Sequence, residues 1–167
     1  NKDLIDYFIE NVAFLFNKNF STVETSKTIN ESNKKLAELF NYSLISEPLS
    51  KLKNLIDESN ELVNENPSNG IKIGKELIKN CVGDLRLLKE ILGNDDIKYQ
   101  SISDKLANQI MQCGILCFNE TENHEDYLNS YKYAQSISFK EKTKERAKET
   151  IKHFKELEKQ NICNFCN

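Results

Sequence analysis

Apolar side chains return every third or fourth position along most of the chain, which is the spacing of one buried face of an α-helix. Residues 3–16 show the pattern first, with seven apolar positions in one broad stripe. No segment alternates apolar and polar positions in the way a half-buried strand does. We therefore expect helices over residues 3–16, 21–41, 48–63, 68–92, 101–118, 127–137 and 143–157.

Breaker and capping residues predict where these helices begin and end. Residues 41–42 are expected to form a linker, and Pro48 stands near the first turn of the next helix, where its missing N–H costs nothing. Gly93 is placed to cap the end of the helix over 68–92. Ser101 or Ser103 is expected to cap the start of the following one.

Helices joined by short polar loops pack as antiparallel neighbours. The pattern therefore predicts an all-α fold of about seven helices, arranged as an irregular bundle or as a short stack of helical hairpins. Five Gly and two Pro in 167 residues supply few of the turns that β-hairpins require. We expect one domain over residues 1–160, with a subdivision near 94–100 as the alternative. Residues 161–167 are expected to form a tail that begins a further segment of a larger protein.

One stretch carries the features of a known type of helical hairpin. Gly114 and Ala134 stand where small residues let two helices approach, and Cys117 and Tyr131 stand where the seam between them is filled. On these positions, residues 106–138 resemble one tetratricopeptide-type hairpin. The resemblance implies a stack of hairpins that binds a protein or peptide partner in a groove.

A second resemblance concerns a wider part of the chain. The same stretch, together with the terminal motif Cys163-Asn-Phe-Cys166, is similar to helical regions that accompany J domains in some bacterial multidomain proteins. The His-Pro-Asp tripeptide that a J domain requires does not occur in this sequence. The similarity implies a chaperone-associated role in which co-chaperone activity belongs to another part of the protein.

Cysteine spacing indicates a candidate metal site. Cys163 and Cys166 have the separation at which two thiolates bind one zinc ion from a tight turn. A structural zinc site needs four ligands, so the others would lie beyond the end of the chain or come from His153 with Cys113 or Cys117. The alternative is a frayed tail with two thiols. We expect no other cofactor in this chain.

The remaining cysteines are expected to be structural. Cys113 and Cys117 lie one helical turn apart on the apolar face, and Cys81 also falls on an apolar face, as small core residues do. Cysteines four apart on a helix seldom have disulfide geometry, and the total of five is odd. Together these observations favour a reducing compartment, which predicts a cytoplasmic protein.

The sequence offers little for catalysis. His124 and His153 are expected to be solvated, and the acidic pairs Asp95-Asp96 and Glu125-Asp126 fall near helix starts, where carboxylates favour the helix dipole. The glycine-rich phosphate loops, the nucleophile elbow of serine hydrolases and the His-Glu-x-x-His motif of zinc proteases are all missing. We expect the chain not to be an enzyme.

Charge and aromatic residues predict a contact surface. Residues 140–159 hold eight basic against five acidic residues, in a chain whose formal net charge is −3. Lysines recur every four positions there, interleaved with glutamates, so they form either a ridge for an anionic partner or a solvated face. The members of this lysine row are Lys140, Lys144, Lys148 and Lys152.

Tyr127, Tyr131 and Tyr133 are expected to line a groove beside the lysine row, the alternative being that two of them pack and one is exposed. A sequence pI of about 5.6 makes nucleic acid an unexpected partner. The longest apolar run is five residues, against the roughly 20 that a membrane-spanning helix needs. The sequence therefore predicts a non-catalytic protein–protein interaction or scaffolding module of a larger soluble protein. The rival hypothesis is a structural zinc-binding module begun by Cys163 and Cys166.

Overall fold

The described residues of this protein form helices. A computed structural model describes Glu24 and residues 34–121 and 127–165, with side chains over 41–42, 44–121 and 127–157. Within these residues there are five helices and no strand, which confirms the all-α prediction. The first helix predicted, over residues 3–16, lies outside them. The helices are α1 (Lys34–Glu65), α2 (Gly70–Leu92), α3 (Ile97–Thr121), α4 (Leu128–Ile137) and α5 (Glu141–Phe165), with a 3-10 turn at Pro67–Asn69 between α1 and α2.

Helix α1 runs without a break through the linker predicted to open at residues 41–42, so both that linker and the helix start predicted near Pro48 are wrong. Pro48 lies inside the helix and is buried. A proline there costs about 3 kcal/mol, because one helical hydrogen bond is lost and its ring crowds the preceding turn. Burial of large apolar side chains, at about 1.5–3 kcal/mol each, outweighs that cost. The buried members of α1 are Ile45, Leu52, Ile56 and Val63.

The end of α2 follows the sequence prediction. Gly93 has a φ of 82°, and its N–H donates a hydrogen bond to the Lys89 carbonyl oxygen at 2.9 Å. Positive φ is a conformation that costs glycine little and other residues more. The predicted glycine cap is therefore confirmed.

The start of α3 differs from the prediction, because the helix begins at Ile97 rather than near Ser101 or Ser103. The Asp96 carboxylate accepts hydrogen bonds from the N–H groups of Lys98 and Tyr99, at 2.7 and 3.2 Å. One carboxylate thus satisfies two N–H groups that the first helical turn leaves unpaired. The capping role expected of the Asp95-Asp96 pair is confirmed at Asp96.

The described residues divide into two compact units. Residues 34–52 and 83–99 form the first, in which the Lys51 ammonium lies 2.8 Å from the Asp84 carboxylate. In the same unit the Lys98 ammonium lies 5.5 Å from the centre of the Tyr42 ring, a cation–π contact. Residues 53–82, 100–121 and 127–165 form the second unit, which contains the sites described below.

Hydrogen bonds fix the directions of α3 and α4 in the second unit. The Tyr127 hydroxyl, at the start of α4, donates to the Ile110 carbonyl oxygen at 2.7 Å. The Ser103 hydroxyl donates to the Ile137 carbonyl oxygen at 2.6 Å. Residue numbers rise along one helix as they fall along the other, so α3 and α4 form an antiparallel hairpin, as expected.

Helix α5 repeats the direction of α3. Asn108 of α3 donates to the Thr143 hydroxyl at 3.3 Å, and Gln112 accepts from the Arg146 guanidinium at 3.0 Å. These pairs are separated by 35 and 34 residues, and the numbers rise together along both helices. Helices α3, α4 and α5 therefore run up, down and up.

Glycine allows the close packing of this unit. A Cβ atom on Gly74 of α2 would overlap the Tyr127 hydroxyl, and a Cβ on Gly114 of α3 would overlap the Tyr127 ring and the Tyr131 hydroxyl. Only the hydrogen of a glycine leaves room for these rings. The prediction that Gly114 lets two helices approach is confirmed, and Gly74 performs the same function on α2.

Replacing Gly114 with alanine is expected to destabilise the protein. The overlap costs about 1–3 kcal/mol, which exceeds the roughly 1 kcal/mol that alanine gains over glycine in a helix. Gly83→Ala is the matched control, because Gly83 lies in α2 with no atom within 4 Å of the new Cβ. Urea unfolding followed by circular dichroism should show a loss of stability for Gly114→Ala and a gain of about 0.5–1 kcal/mol for Gly83→Ala. Equal shifts for the two variants would contradict the packing described.

Candidate interaction site

Two of the three tyrosines predicted to line a groove lie in the core. Tyr127 and Tyr131 are 0% and 1% exposed, so they form no part of an accessible surface. Their rings meet edge to face at 5.0 Å, and Tyr131 stacks on Phe154 of α5 at 5.1 Å. The structure thus agrees with the alternative in which two of the tyrosines pack, so Tyr127 and Tyr131 are withdrawn from the contact surface. The cause is the pair of glycines, which makes room for two whole rings inside the unit. Contact of a partner with Tyr133, which is half-buried, stays a prediction.

Tyr133 lines an open cleft between α2 and α4. Lys75 and Ile78 come from α2, and Asn129, Ser130 and Tyr133 from α4. The cleft has a volume of about 470 Å³. Its apolar floor and its side-chain donors suit an extended polypeptide that presents hydrogen-bond acceptors. We call it the α2/α4 cleft.

The walls of the α2/α4 cleft are held by contacts at both ends of α4. The Tyr127 hydroxyl bonds to Ile110 where α4 begins, and the Ser103 hydroxyl bonds to Ile137 where it ends. Ser138, one residue further, donates from its side chain to the Ala134 carbonyl oxygen at 2.7 Å. Helix α4 has only ten residues and would be marginal in isolation, so these contacts are what fix its position.

The lysine row begins just before α5, at Lys140, continues along that helix and is accessible. Lys140, Lys148 and Lys152 are exposed, and Lys144 is half-buried. Lys152 lies 4.0 Å from Glu156, one helical turn on, at positions where both side chains are largely exposed. An exposed pair of this kind contributes little to stability. The row is thus a solvated face of mixed charge, and its role in binding stays a prediction.

A polar seam between α3 and α5 positions the lysine row. The buried Asp104 carboxylate accepts hydrogen bonds from the backbone N–H groups of Phe139 and Lys140, at 2.8 and 3.1 Å. It therefore caps the start of α5 from a neighbouring helix. Farther along, Asn108 accepts from the Arg146 guanidinium at 3.1 Å, as Gln112 does.

Sequence reasoning missed this seam. Asp104, Asn108 and Gln112 recur every four residues on α3, so they share one face of the helix. That spacing is the only signal in the sequence, and it is also the spacing of an ordinary solvated stripe. The partners lie 34 to 38 residues away, on a helix whose packing the pattern does not determine.

The three cysteines predicted to be structural are buried and not in disulfides, which confirms that prediction for Cys81, Cys113 and Cys117. Burial raises the pKa of the Cys113 thiol from its ordinary 9.0 to about 11, although a hydrogen bond from the Gln109 amide acts in the opposite direction. The Cys117 thiol donates to the Ser68 carbonyl oxygen at 3.3 Å, which ties α3 to the turn before α2.

The predicted zinc ligands are only partly within the described residues. The backbone of Cys163 is part of α5. The Cys163 side chain and all of Cys166 lie outside the described residues. In the part of the chain that the structure describes, no three His, Cys, Asp or Glu side chains are grouped closely enough to hold a metal ion. The alternative ligands, His153 with Cys113 or Cys117, therefore do not belong to any such group within the described residues. The zinc site begun by Cys163 and Cys166 stays a prediction.

The histidines offer no reactive arrangement within the described residues. His153 is exposed on α5, with its ring 6.3 Å from that of Phe118 and 5.5 Å from that of Phe154. His153 therefore packs beside the rings of Phe118 and Phe154 while its own side chain stays exposed to solvent. His124 lies outside the described residues.

Comparison with family models, curated proteins and solved structures found no match. No helix in the described part of the chain combines the length and apolar character needed to cross a lipid bilayer.

The stability of the protein should fall in alkaline solution. Cys113 keeps its proton to about pH 11 in the folded state, whereas the unfolded chain loses it above its ordinary 9.0. Burial likewise raises the pKa values of Tyr127 and Tyr131 above their ordinary 10. Because the unfolded state then binds fewer protons, each such group lowers stability by up to about 1.4 kcal/mol per pH unit above its unfolded pKa, and by nothing below it.

This is measured by urea unfolding at fixed pH values from 7 to 11. We expect the free energy of unfolding to stay constant up to about pH 8.5 and to decline above it. Between pH 9 and 10 the decline should be shallower in Cys113→Ala than in the natural sequence. The slope, rather than the absolute stability, is the readout, because the variant also leaves a cavity. An identical slope in both proteins would show that Cys113 is not protected from ionisation.

Proposed function

We propose that this chain is a non-catalytic interaction or scaffolding module that binds an acidic segment of a protein partner in the α2/α4 cleft. The observation that supports this proposal is the lining of the cleft. Lys75 is its one formal charge among the described residues, and Asn129 and Tyr133 add side-chain donors. A carboxylate or a run of backbone carbonyls complements such a surface.

Rigidity of the cleft supports the same proposal. Its two walls are joined by Tyr127, whose ring fills the space left by Gly74 of α2 and whose hydroxyl bonds to α3. A site already held in its binding conformation loses little conformational entropy when a partner binds. Tyrosine at the rim is also among the residue types that interfaces favour.

The lysine row is proposed as a second contact for the same partner. Its positive charges recur along a helix whose start is fixed by Asp104. An acidic segment long enough to leave the cleft would find such charges favourable, mainly through faster association. The chaperone-associated role and the zinc-binding module remain predictions of the sequence beside this proposal.

The proposal is tested by selecting binders from a displayed library of random twelve-residue peptides. We expect the selected peptides to be rich in Asp and Glu. Lys75→Glu and Tyr133→Ala should each weaken binding of the best peptide about tenfold or more, equivalent to about 1.4 kcal/mol. Lys79→Glu is the matched control, because Lys79 is an exposed lysine one turn further along α2 and is not part of the lining.

Binding that survives Lys75→Glu, or that weakens equally in Lys79→Glu, would contradict the proposed site. The double variant Lys144→Glu, Lys148→Glu tests the lysine row separately with the same peptide. Unchanged affinity and association rate there would remove the row from the contact surface and leave the cleft.

A further inference from the structure

A second cleft lies between the end of α1 and the start of α2, and its lining includes two large aliphatic side chains. Leu62 and Ile73 line it together, with Leu62 53% exposed and Ile73 half-buried. Single exposed leucines are common on protein surfaces, but two large aliphatic side chains sharing one concave site are a more specific feature. We call this site the Leu62 cleft.

The rim of the Leu62 cleft is acidic. Glu65 and Glu76 line it, and Glu58 is exposed on α1 four residues before Leu62, a spacing that places it on the same face of the helix. Lys72 is the only basic residue in the described lining. The described lining of the Leu62 cleft thus carries two carboxylates against one ammonium, whereas that of the α2/α4 cleft carries one ammonium.

The lining of the Leu62 cleft combines two aliphatic side chains with charged ones, in a volume of about 280 Å³. An amphipathic helix binds by inserting one or two apolar anchors into a groove while its polar face meets the rim. A negative rim selects for Lys and Arg on that face and disfavours nucleic acid.

We propose that the Leu62 cleft binds a basic amphipathic helix of a protein partner, with an apolar anchor between Leu62 and Ile73. The basic side chains of the partner face Glu65 and Glu76, with Glu58 beyond them on α1. Lys72 opposes this binding and so limits its strength. The proposal does not depend on the α2/α4 cleft, which has the opposite charge.

The probe for this proposal is a labelled fourteen-residue peptide of Lys and Leu whose leucines follow helical spacing. A scrambled peptide of the same composition has the same charge but no apolar face. Fluorescence anisotropy in about 0.15 M salt, where distant surface charges are screened, should show binding of the amphipathic peptide at least tenfold tighter than of the scrambled one. Absent or equal binding of the two would overturn the proposal.

Variants at the cleft then locate the interaction. Glu65→Lys with Glu76→Lys should weaken binding at least tenfold, Leu62→Ser should weaken it without changing the charge, and Lys72→Glu should strengthen it. Glu145→Lys with Glu149→Lys is the control of matched charge, at two exposed positions on α5. Circular dichroism confirms that each variant is folded.

Nuclear magnetic resonance supplies an independent check. Addition of the peptide is expected to shift the backbone amide resonances of residues around Leu62 and Ile73. The proposal is overturned if the α5 control weakens binding as much as the cleft variant, or if Leu62→Ser has no effect, since net charge alone would then explain the affinity. Lys75→Glu should not weaken this binding, which separates its outcome from that of the proposed function.

Discussion

The burial of Tyr127 is the interaction on which the second unit depends. Its ring occupies space that Gly74 and Gly114 leave on two different helices, and its hydroxyl donates to the Ile110 carbonyl oxygen at 2.7 Å. A buried hydroxyl is costly unless it has such a partner, so both the space and the acceptor are required. One side chain therefore sets the spacing of α2, α3 and the start of α4.

The accessible features of the unit follow from that arrangement. Tyr133 reaches the α2/α4 cleft because Tyr127, six residues earlier, fixes the start of α4 against α2. On the other side, Asp104 and Arg146 hold α5 parallel to α3 and so present the lysine row to solvent. The buried tyrosines thus contribute to recognition by positioning other residues rather than by contact.

The sequence predicted what depends on local spacing. Helical periodicity, the glycine cap at Gly93 and the close approach at Gly114 all follow from residue type and position, and all are confirmed. The continuity of α1 through Pro48 was not predictable, because tertiary burial there outweighs a local breaker. The sequence did not show that Tyr127 is one of the two tyrosines that pack, because nothing local indicates that Gly74, 53 residues earlier, makes room for it. The seam at Asp104 was missed for the same reason, since its partners are distant along the chain.

The most direct test of the account is a double-mutant cycle between Gly74→Ala and Tyr127→Phe, measured by urea unfolding. Removing the hydroxyl takes away one of the atoms that the new Cβ would overlap, so Gly74→Ala should cost at least about 1 kcal/mol less in the Tyr127→Phe background than in the natural sequence. Costs that add within about 0.5 kcal/mol would mean that the two residues do not share the space described, and the packing of the whole unit would need another explanation.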